Sequence, residues 1–180
     1  MPLLPLAVDR RPVHHRNISV RGYRRLDHLW DVEGHLSDVR AEHFSFTGGE
    51  REANTPIHSM WLRLTINRSG KIVAAVAATE AAPFGDCGNI APSYSELVGL
   101  TIGAGFRGHV RRLFAGTNGC THMTELLSTM ATAAIQTLAG ESLQNEANRK
   151  PFQLDGCHAL ATDGPIVKVF YPQWFRQGCR

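Results

Sequence analysis

The chain has 180 residues, of which 43% are hydrophobic, and this size suits one domain with one sizeable core. The net charge is only +3, and no apolar run approaches the roughly 20 residues of a membrane helix, so we predict no membrane partner. The apolar stretch at the N-terminus is too short for a signal-peptide core, which favours a cytoplasmic location. We predict a single domain over residues 1–180, with residues 1–14 as a flexible arm.

Arginines concentrate near the N-terminus, between Arg10 and Arg25. Strong nucleic-acid binders usually carry a denser basic stripe together with aromatic platforms for the bases. The pattern therefore argues against a nucleic-acid partner and fits a solvated face or a clamp for an acidic ligand.

Residues 17–24 and 29–36 are predicted to form the first hairpin of an antiparallel sheet. Apolar and polar side chains alternate along the second segment with the period of two that is typical of a strand. One face then carries Trp30, Val32 and Leu36, and the other carries Asp31, Glu33 and His35. The polar residues 41–56, which include Gly48 and Gly49, are predicted to form a flexible loop.

Residues 57–79 show the pattern of a second hairpin, with a turn at residues 67–70. The alternation places His58 on the same face as Met60 and Leu62, towards the covered side of the sheet. A histidine in that position needs a polar partner, and the simplest interpretation is a hydrogen-bonded core histidine.

Helical signals follow in the second half of the chain. Ser93 and Glu96 have capping-box spacing and predict a short helix through Leu100, and a basic helix around Arg111 is predicted to follow. Residues 121–139 carry the clearest helical period. Residues 140–150 are predicted as a loop, and residues 165–175 as a possible edge strand. The order of elements predicts an α+β fold, with an antiparallel sheet of two hairpins packed by a three-helix segment.

Histidines and cysteines from distant segments form one candidate site. Two nitrogens and two sulfurs would suit a tetrahedral zinc or iron ion, and the candidate ligands are His58, Cys87, Cys120 and His122. Their long separations make this pattern weaker than paired-cysteine motifs, and an ordinary helix start around Cys120 is the alternative. The cofactor prediction is therefore either none or one zinc or iron ion.

A polar strand face forms the competing candidate site. Carboxylates and a histidine on one face suit general acid–base chemistry, although a solvated outer face is the plain alternative. The predicted catalytic residues are Asp31, Glu33, His35, His58 and His122. The predicted substrate-binding residues are Arg21, Tyr23 and Trp30.

Several phrases of the sequence together resemble an uncharacterised proteobacterial family, a domain of unknown function. They are RGYRRLDHLWDVEGHLSD, PIHSMWLRLTI, AATEAAPF, GCTHMTELL and LDGCHAL, and the resemblance extends from about residue 12 to residue 175. The resemblance implies that ten residues are important, without assigning their roles: Trp30, Asp31, Glu33, His35, His58, Cys87, Cys120, His122, Cys157 and His158. It implies catabolism of lignin-derived aromatic dimers by a carbon–carbon lyase that opens a phenylcoumaran-type ring and releases formaldehyde. A small aromatic substrate is the partner this implies.

The order of elements from His58 to Ala139 is also similar to that of iron–sulfur scaffold proteins. Those scaffolds carry a cysteine before the first strand, and residues 56–58 have none. That difference argues against assembly of a cluster on three cysteines. The shared layout and the set of cysteines and histidines still give the alternative function, a metal- or iron–sulfur-cluster-carrying accessory protein without catalytic activity. We also expect a homodimer, because Trp61 is predicted to be exposed on its strand and large exposed aromatic side chains often mark interfaces.

Overall fold

The computed structural model describes residues 8–139, 150–151 and 153–178. The chain divides into two compact units, Met1–Ser142 and Leu143–Arg180. The predicted loop at residues 140–150 lies almost entirely outside the described residues. In the part that is described, no helix combines the length and the apolar character that crossing a bilayer requires.

The N-terminal unit is built on an antiparallel sheet. Its strands are β1 (His14–Arg24), β2 (Trp30–Arg40), β3 (Phe44–Phe46), β4 (Gly49–Arg51), β5 (Pro56–Ile66) and β6 (Ile72–Ala81). Four of them form one sheet in the order β1-β2-β5-β6, and β3 pairs with β4 in a separate two-stranded sheet. The predicted α+β class and the antiparallel sheet of two hairpins are therefore confirmed, whereas the similarity to iron–sulfur scaffolds stays a prediction.

The sheet has one covered face and one open face. Even-numbered side chains of β2 such as Val32 and Leu36 are fully buried, as are Leu64 of β5 and Leu126 of the long helix. Odd-numbered side chains of β2 are only partly buried, which confirms the predicted alternation. The covered face packs against that helix, α2 (Thr121–Leu138), and their apolar side chains form the core.

A short hairpin replaces the flexible loop that was predicted for residues 41–56. Its strands β3 and β4 pair across residues 46–49, where Gly49 has a φ of +123° that suits glycine. Phe44 and Phe46 stack on each other, and the guanidinium groups of Arg40 and Arg51 lie over their rings. These contacts order a segment whose polar composition indicated a loop.

The segment after β6 is a 3-10 helix, Gly85–Leu97, and not a helix that begins at a capping box. Phe84 precedes its first residue, so the predicted start near Ser93 and the predicted end at Leu100 are both wrong. Pro92 lies inside the segment and lacks the N–H group that a regular α-helix would use. The basic helix α1 (Phe106–Leu113) and the helix α2 form where they were predicted.

The C-terminal unit contains a short helix, α3 (Pro165–Phe170), where an edge strand was predicted. Pro165 takes the first helical position, which suits its fixed φ and missing N–H. The backbone N–H of Lys168 donates to Gly164 and that of Tyr171 to Val167, so this apolar run satisfies its own backbone. Two short 3-10 turns flank it, His158–Leu160 and Pro172–Trp174.

Candidate functional site

A small cavity opens on the open face of the sheet. Its volume is about 160 Å³, and it is lined by Ser19, Arg21, Tyr23, Glu33, His35 and Trp61. In the strand register Arg21 lies opposite Glu33, and His35 opposite Trp61. The structure therefore brings together four of the predicted residues, Arg21, Tyr23, Glu33 and His35. We call this site the open-face cavity.

His35 is held in one orientation by a hydrogen-bonded relay. Its Nε2 lies 3.0 Å from Ser59 Oγ, and that hydroxyl donates to Glu80 Oε2 at 2.8 Å. Because a hydroxyl has a single proton, Ser59 accepts from Nε2–H of His35, which leaves Nδ1 as the basic ring nitrogen. The His35 ring also stacks on Trp61, with centroids 4.0 Å apart.

Glu80 completes the relay as an anion. The hydrogen bond from Ser59 is the main cause that lowers the pKa of Glu80 below its ordinary value, and the indole N–H of Trp61 contributes a second.

The two acidic residues predicted beside His35 have partners of their own. Arg63 Nε donates a hydrogen bond to Glu33 Oε1 at 2.7 Å, and Arg63 Nη2 forms an ion pair with the same oxygen at 2.6 Å. Asp31 accepts from the hydroxyl of Thr65 at 2.7 Å and pairs with Arg25 at 3.4 Å. Glu33 lines the cavity, whereas Asp31 lies further along the same strand face.

Trp30 lies apart from Arg21 and Tyr23, with which it was predicted to bind substrate. It is 5% exposed and belongs to the core cluster on the covered face. It borders a different and shallower depression, together with residues of α2 such as Thr137. The structure does not bring Trp30 to the open-face cavity.

A second polar group forms on the covered face, at the end of β2, and we call it the Asp38 cluster. It gathers His14, Arg16, Asp38, His58 and His122 from β1, β2, β5 and α2. Asp38 pairs with His58 in the register of β2 and β5. The cluster therefore follows from the register of the sheet and from the placement of α2 over it.

Asp38 is almost completely buried, and its carboxylate is nearly surrounded by donors. Arg16 donates from Nε to Oδ1 and from Nη2 to Oδ2, both at 2.8 Å, and His14 Nε2 lies 2.9 Å from Oδ1. The nitrogens His58 Nδ1 and His122 Nε2 both face Oδ2, at 3.2 and 3.7 Å. Two imidazoles thus converge on the oxygen that retains a lone pair.

The pKa values in the Asp38 cluster favour an ionised carboxylate and neutral imidazoles. Burial would raise the pKa of Asp38, but the hydrogen bonds and charge of Arg16, helped by His14, lower it below its ordinary value. Burial is the main cause that lowers the pKa of His58, and the neighbouring His122 lowers it further. Burial also lowers the pKa of His122, with Arg16 as the next cause.

Asp38, His58 and His122 form a group that could hold a metal ion, since one donor atom from each lies within 4.8 Å of the others. Two of the four predicted ligands, His58 and His122, belong to this group. In the part of the chain that the structure describes, Cys87 and Cys120 do not belong to it. The thiol of Cys120 instead lies 3.9 Å from His122 Nδ1, on the side of the ring away from Asp38.

Several residues of these sites were not predicted from the sequence, and they are His14, Arg16, Ser19, Asp38, Ser59, Trp61 and Glu80. Asp38 continues the buried face of β2 by two residues beyond Leu36, where the predicted strand ended. If the predicted strand had been extended to Arg40, the strand register would have placed Asp38 beside His58 and indicated that Asp38 belongs to the site. Cys157 and His158 belong to the C-terminal unit, where Cys157 is exposed and His158 begins a 3-10 turn.

The fold and these sites define an α+β protein with a polar cavity on one sheet face and a histidine–carboxylate group on the other. The chain belongs to the family described as "Protein of unknown function (DUF2889)", whose model matches residues 14–136. That match spans β1 to α2 and therefore contains both sites. No curated protein matches the chain, and no solved structure matches it.

Proposed function

We propose that the protein is a carbon–carbon lyase that opens phenylcoumaran-type, lignin-derived aromatic dimers and releases formaldehyde in the open-face cavity. The observation that carries this proposal is the convergence of a basic histidine, an arginine, a tyrosine and an exposed tryptophan on one cavity of about 160 Å³. These groups match what the reaction needs, which is a base, a cation for a developing oxyanion and an aromatic surface.

The proposed reaction is redox-neutral. His35 Nδ1 takes the proton of the substrate's hydroxymethyl group, the C–C bond to that carbon breaks, and its oxygen becomes the carbonyl oxygen of formaldehyde. The electron pair of the broken bond forms a C=C bond in the remaining dimer. The C–O bond of the five-membered ring breaks in the same step, since its carbon cannot otherwise accept the new C=C bond. The electron pair of that C–O bond leaves on the phenolic oxygen, which is protonated to the phenol.

Each side chain around the cavity has a distinct proposed role. The Glu80–Ser59 pair stabilises the imidazolium that His35 becomes, because Glu80 supplies a negative charge two hydrogen bonds away. Arg21 lies on the cavity wall, where its guanidinium stabilises the phenolate that leaves. Trp61 is 43% exposed and offers an indole face on which an aromatic ring of the substrate stacks.

The test is turnover of a synthetic phenylcoumaran by untagged protein, followed by chromatography of the ring-opened product and a chemical assay for formaldehyde. We expect equal amounts of the two products. His35→Gln is expected to lower kcat by about 100-fold or more, because general base catalysis typically contributes at least that much. His109→Gln, which changes an exposed histidine on α1, serves as the matched control. Equal rates for the two variants would remove His35 from the reaction.

A metal-carrying accessory protein is the second candidate, and the Asp38, His58 and His122 group favours it. One zinc or iron ion would be the cargo. Iron–sulfur clusters require several thiolates, and the thiol beside this group is that of Cys120, so a single ion fits the donor atoms better than a cluster. Incubation of the loaded protein with a metal-free acceptor under anaerobic conditions tests this role, and a lack of transfer would count against it.

A further inference from the structure

We propose that the Asp38 cluster contains a binding site for one divalent transition-metal ion of the zinc type, ligated by Asp38 Oδ2, His58 Nδ1 and His122 Nε2. The three residues come from β2, β5 and α2, which meet at this end of the covered face. The site is independent of the lyase proposal, because the open-face cavity is built from side chains on the other face of the sheet.

The distances between the donor atoms fit one ion. In a tetrahedral zinc site with ligands about 2.1 Å from the metal, neighbouring ligand atoms lie about 3.4 Å apart. Here His58 Nδ1 and His122 Nε2 lie 3.2 and 3.7 Å from Asp38 Oδ2. The rings of His58 and His122 lie side by side, tilted by 30° with centroids 3.7 Å apart, and each presents one nitrogen to Asp38 Oδ2.

His58 Nδ1 is a buried polar atom that lacks a hydrogen-bond partner among the residues that the structure describes. Asp38 Oδ2 lies 3.2 Å away, which is within hydrogen-bonding distance, so the alignment of the two groups and not their separation leaves Nδ1 without a hydrogen bond. Buried polar side-chain atoms are almost always satisfied, so such an atom beside a carboxylate needs an explanation. A metal ion between the two atoms satisfies both.

Neighbouring residues hold the proposed ligands in place through polar contacts, as is usual at metal sites. Arg16 and His14 fix the Asp38 carboxylate, and ligating carboxylates normally have such hydrogen-bonded partners. The thiol of Cys120 donates to Met60 Sδ at 3.7 Å, so its sulfur, 3.9 Å from His122 Nδ1, is left to accept from Nδ1–H. That tautomer leaves Nε2 of His122 as the donor atom for the metal. Glu125 accepts from Arg16 at 2.6 Å and offsets part of the positive charge near the ion.

The chemistry of the three ligand atoms limits the kinds of metal ion that the site would bind. Calcium and magnesium prefer sites made of oxygen atoms alone, whereas two imidazoles with one carboxylate suit zinc and other first-row divalent ions. Three protein ligands leave a fourth position open for water or a small ligand, which distinguishes this site from a closed structural one.

The direct test is metal titration of untagged, chelator-treated full-length protein with Zn²⁺, and with Co²⁺ as a spectroscopic probe. We expect one ion per chain, a visible Co²⁺ spectrum of a low-coordinate site, and a rise in Tm on addition of Zn²⁺. His122→Ala is expected to weaken Co²⁺ affinity by about 100-fold or more and to abolish the Zn²⁺-dependent rise in Tm. His58→Ala is expected to do the same.

The matched control is His109→Ala, which removes one exposed histidine from α1 and should bind Co²⁺ as the unaltered chain does. A thermal melt of each variant without metal shows whether it folds, and His122→Ala is the gentler change because its side chain is 24% exposed. The proposal is overturned if the unaltered chain retains no stoichiometric ion, or if His122→Ala and His109→Ala bind Co²⁺ equally. Turnover measured on the same chelated protein tests the lyase separately.

Discussion

At the scale of single residues, the orientation of His35 determines which of its ring nitrogens can act as the proposed base. The hydroxyl of Ser59 can donate only once, and it donates to Glu80, so the proton on the His35 side of this contact belongs to Nε2. A strand register that pairs Ser37 with Ser59 sets these side chains on one face. Glu80 and Ser59 are therefore positioning residues for the proposed base.

Replacement of Glu80 tests this relay. We expect Glu80→Gln to lower kcat by about tenfold or more with KM unchanged, since it removes the charge that stabilises the imidazolium. Ser59→Ala should have a similar effect, and the double variant should lose little more than the worse single one, because both residues act through the same contact. Glu50→Gln, on the exposed strand β4, is the control. Additive losses, or a rise in KM alone, would contradict the relay.

Asp155 is the residue-scale feature of the C-terminal unit. It adopts a φ of +64° and accepts hydrogen bonds from Lys150 and from both the backbone and the hydroxyl of Thr162. Lys150 is the main cause that lowers the pKa of Asp155 to about 2, and Thr162 adds to the shift. An acid whose pKa is lower in the folded than in the unfolded protein stabilises the fold at pH values above its unfolded pKa. That contribution is lost as the pH falls through the folded pKa.

Hydrogen exchange at the amide of Thr162 measures this contribution. We expect its protection to be full above about pH 4 and to fall as the pH drops towards about 2, the pKa of folded Asp155. In Asp155→Asn the protection should be lower at neutral pH and should lack this acid dependence. A protection profile that is the same in both proteins would exclude Asp155 as the group responsible.

At the scale of elements, the contact of β2 with α2 fixes the Asp38 cluster, because β2 supplies Asp38 and α2 supplies His122. Gly34 lies at the closest approach of the two elements, and a Cβ atom there would stand 2.6 Å from Met130 Sδ and 3.0 Å from Leu126 Cδ1. Bulk added at this point must displace α2 or its side chains.

Gly34→Ala is accordingly expected to lower the free energy of unfolding by about 1–3 kcal/mol, the usual cost of an overpacked core. Urea denaturation followed by far-ultraviolet circular dichroism measures it. Gly85→Ala is the matched control, because a Cβ at Gly85 meets nothing within 4 Å. Equal midpoints for the two variants would show that α2 accommodates the extra methyl group.

Elements with a clear period could be predicted from the sequence, whereas elements that depend on tertiary contacts could not. Alternation identified β2, and the helical period identified α2, since each buries one face against the other. The helix α3 was mistaken for a strand because a short apolar run fits both the helical and the strand period. Pro165 suits the first position of this helix, but the sequence alone does not show that a helix begins there. The β3–β4 hairpin depends on arginine–phenylalanine contacts that composition does not show.

The candidate sites were predictable only in part, for a related reason. His35 and Glu33 share a strand face, so their proximity follows from the period of two. Asp38 was missed because a buried carboxylate contradicts the usual alternation, and only the arginine and histidine around it make its burial tolerable.

At the scale of the whole molecule, the N-terminal unit carries two groups of polar side chains on opposite faces of one sheet. The family match over residues 14–136 includes every residue of both. The open face offers a base, a cation and an aromatic surface, and the covered face offers a histidine–carboxylate group. We propose that the open face alone performs the formaldehyde-releasing C–C cleavage.

The most direct test follows a phenylcoumaran labelled with ¹³C in its hydroxymethyl carbon, by NMR, with untagged and chelator-treated protein. Hydrated ¹³C-formaldehyde should appear as the labelled hydroxymethyl signal disappears, at a rate that the His109→Gln control keeps and His35→Gln loses. A labelled hydroxymethyl signal that persists unchanged at high protein concentration, or that decays equally with both variants, would contradict the account.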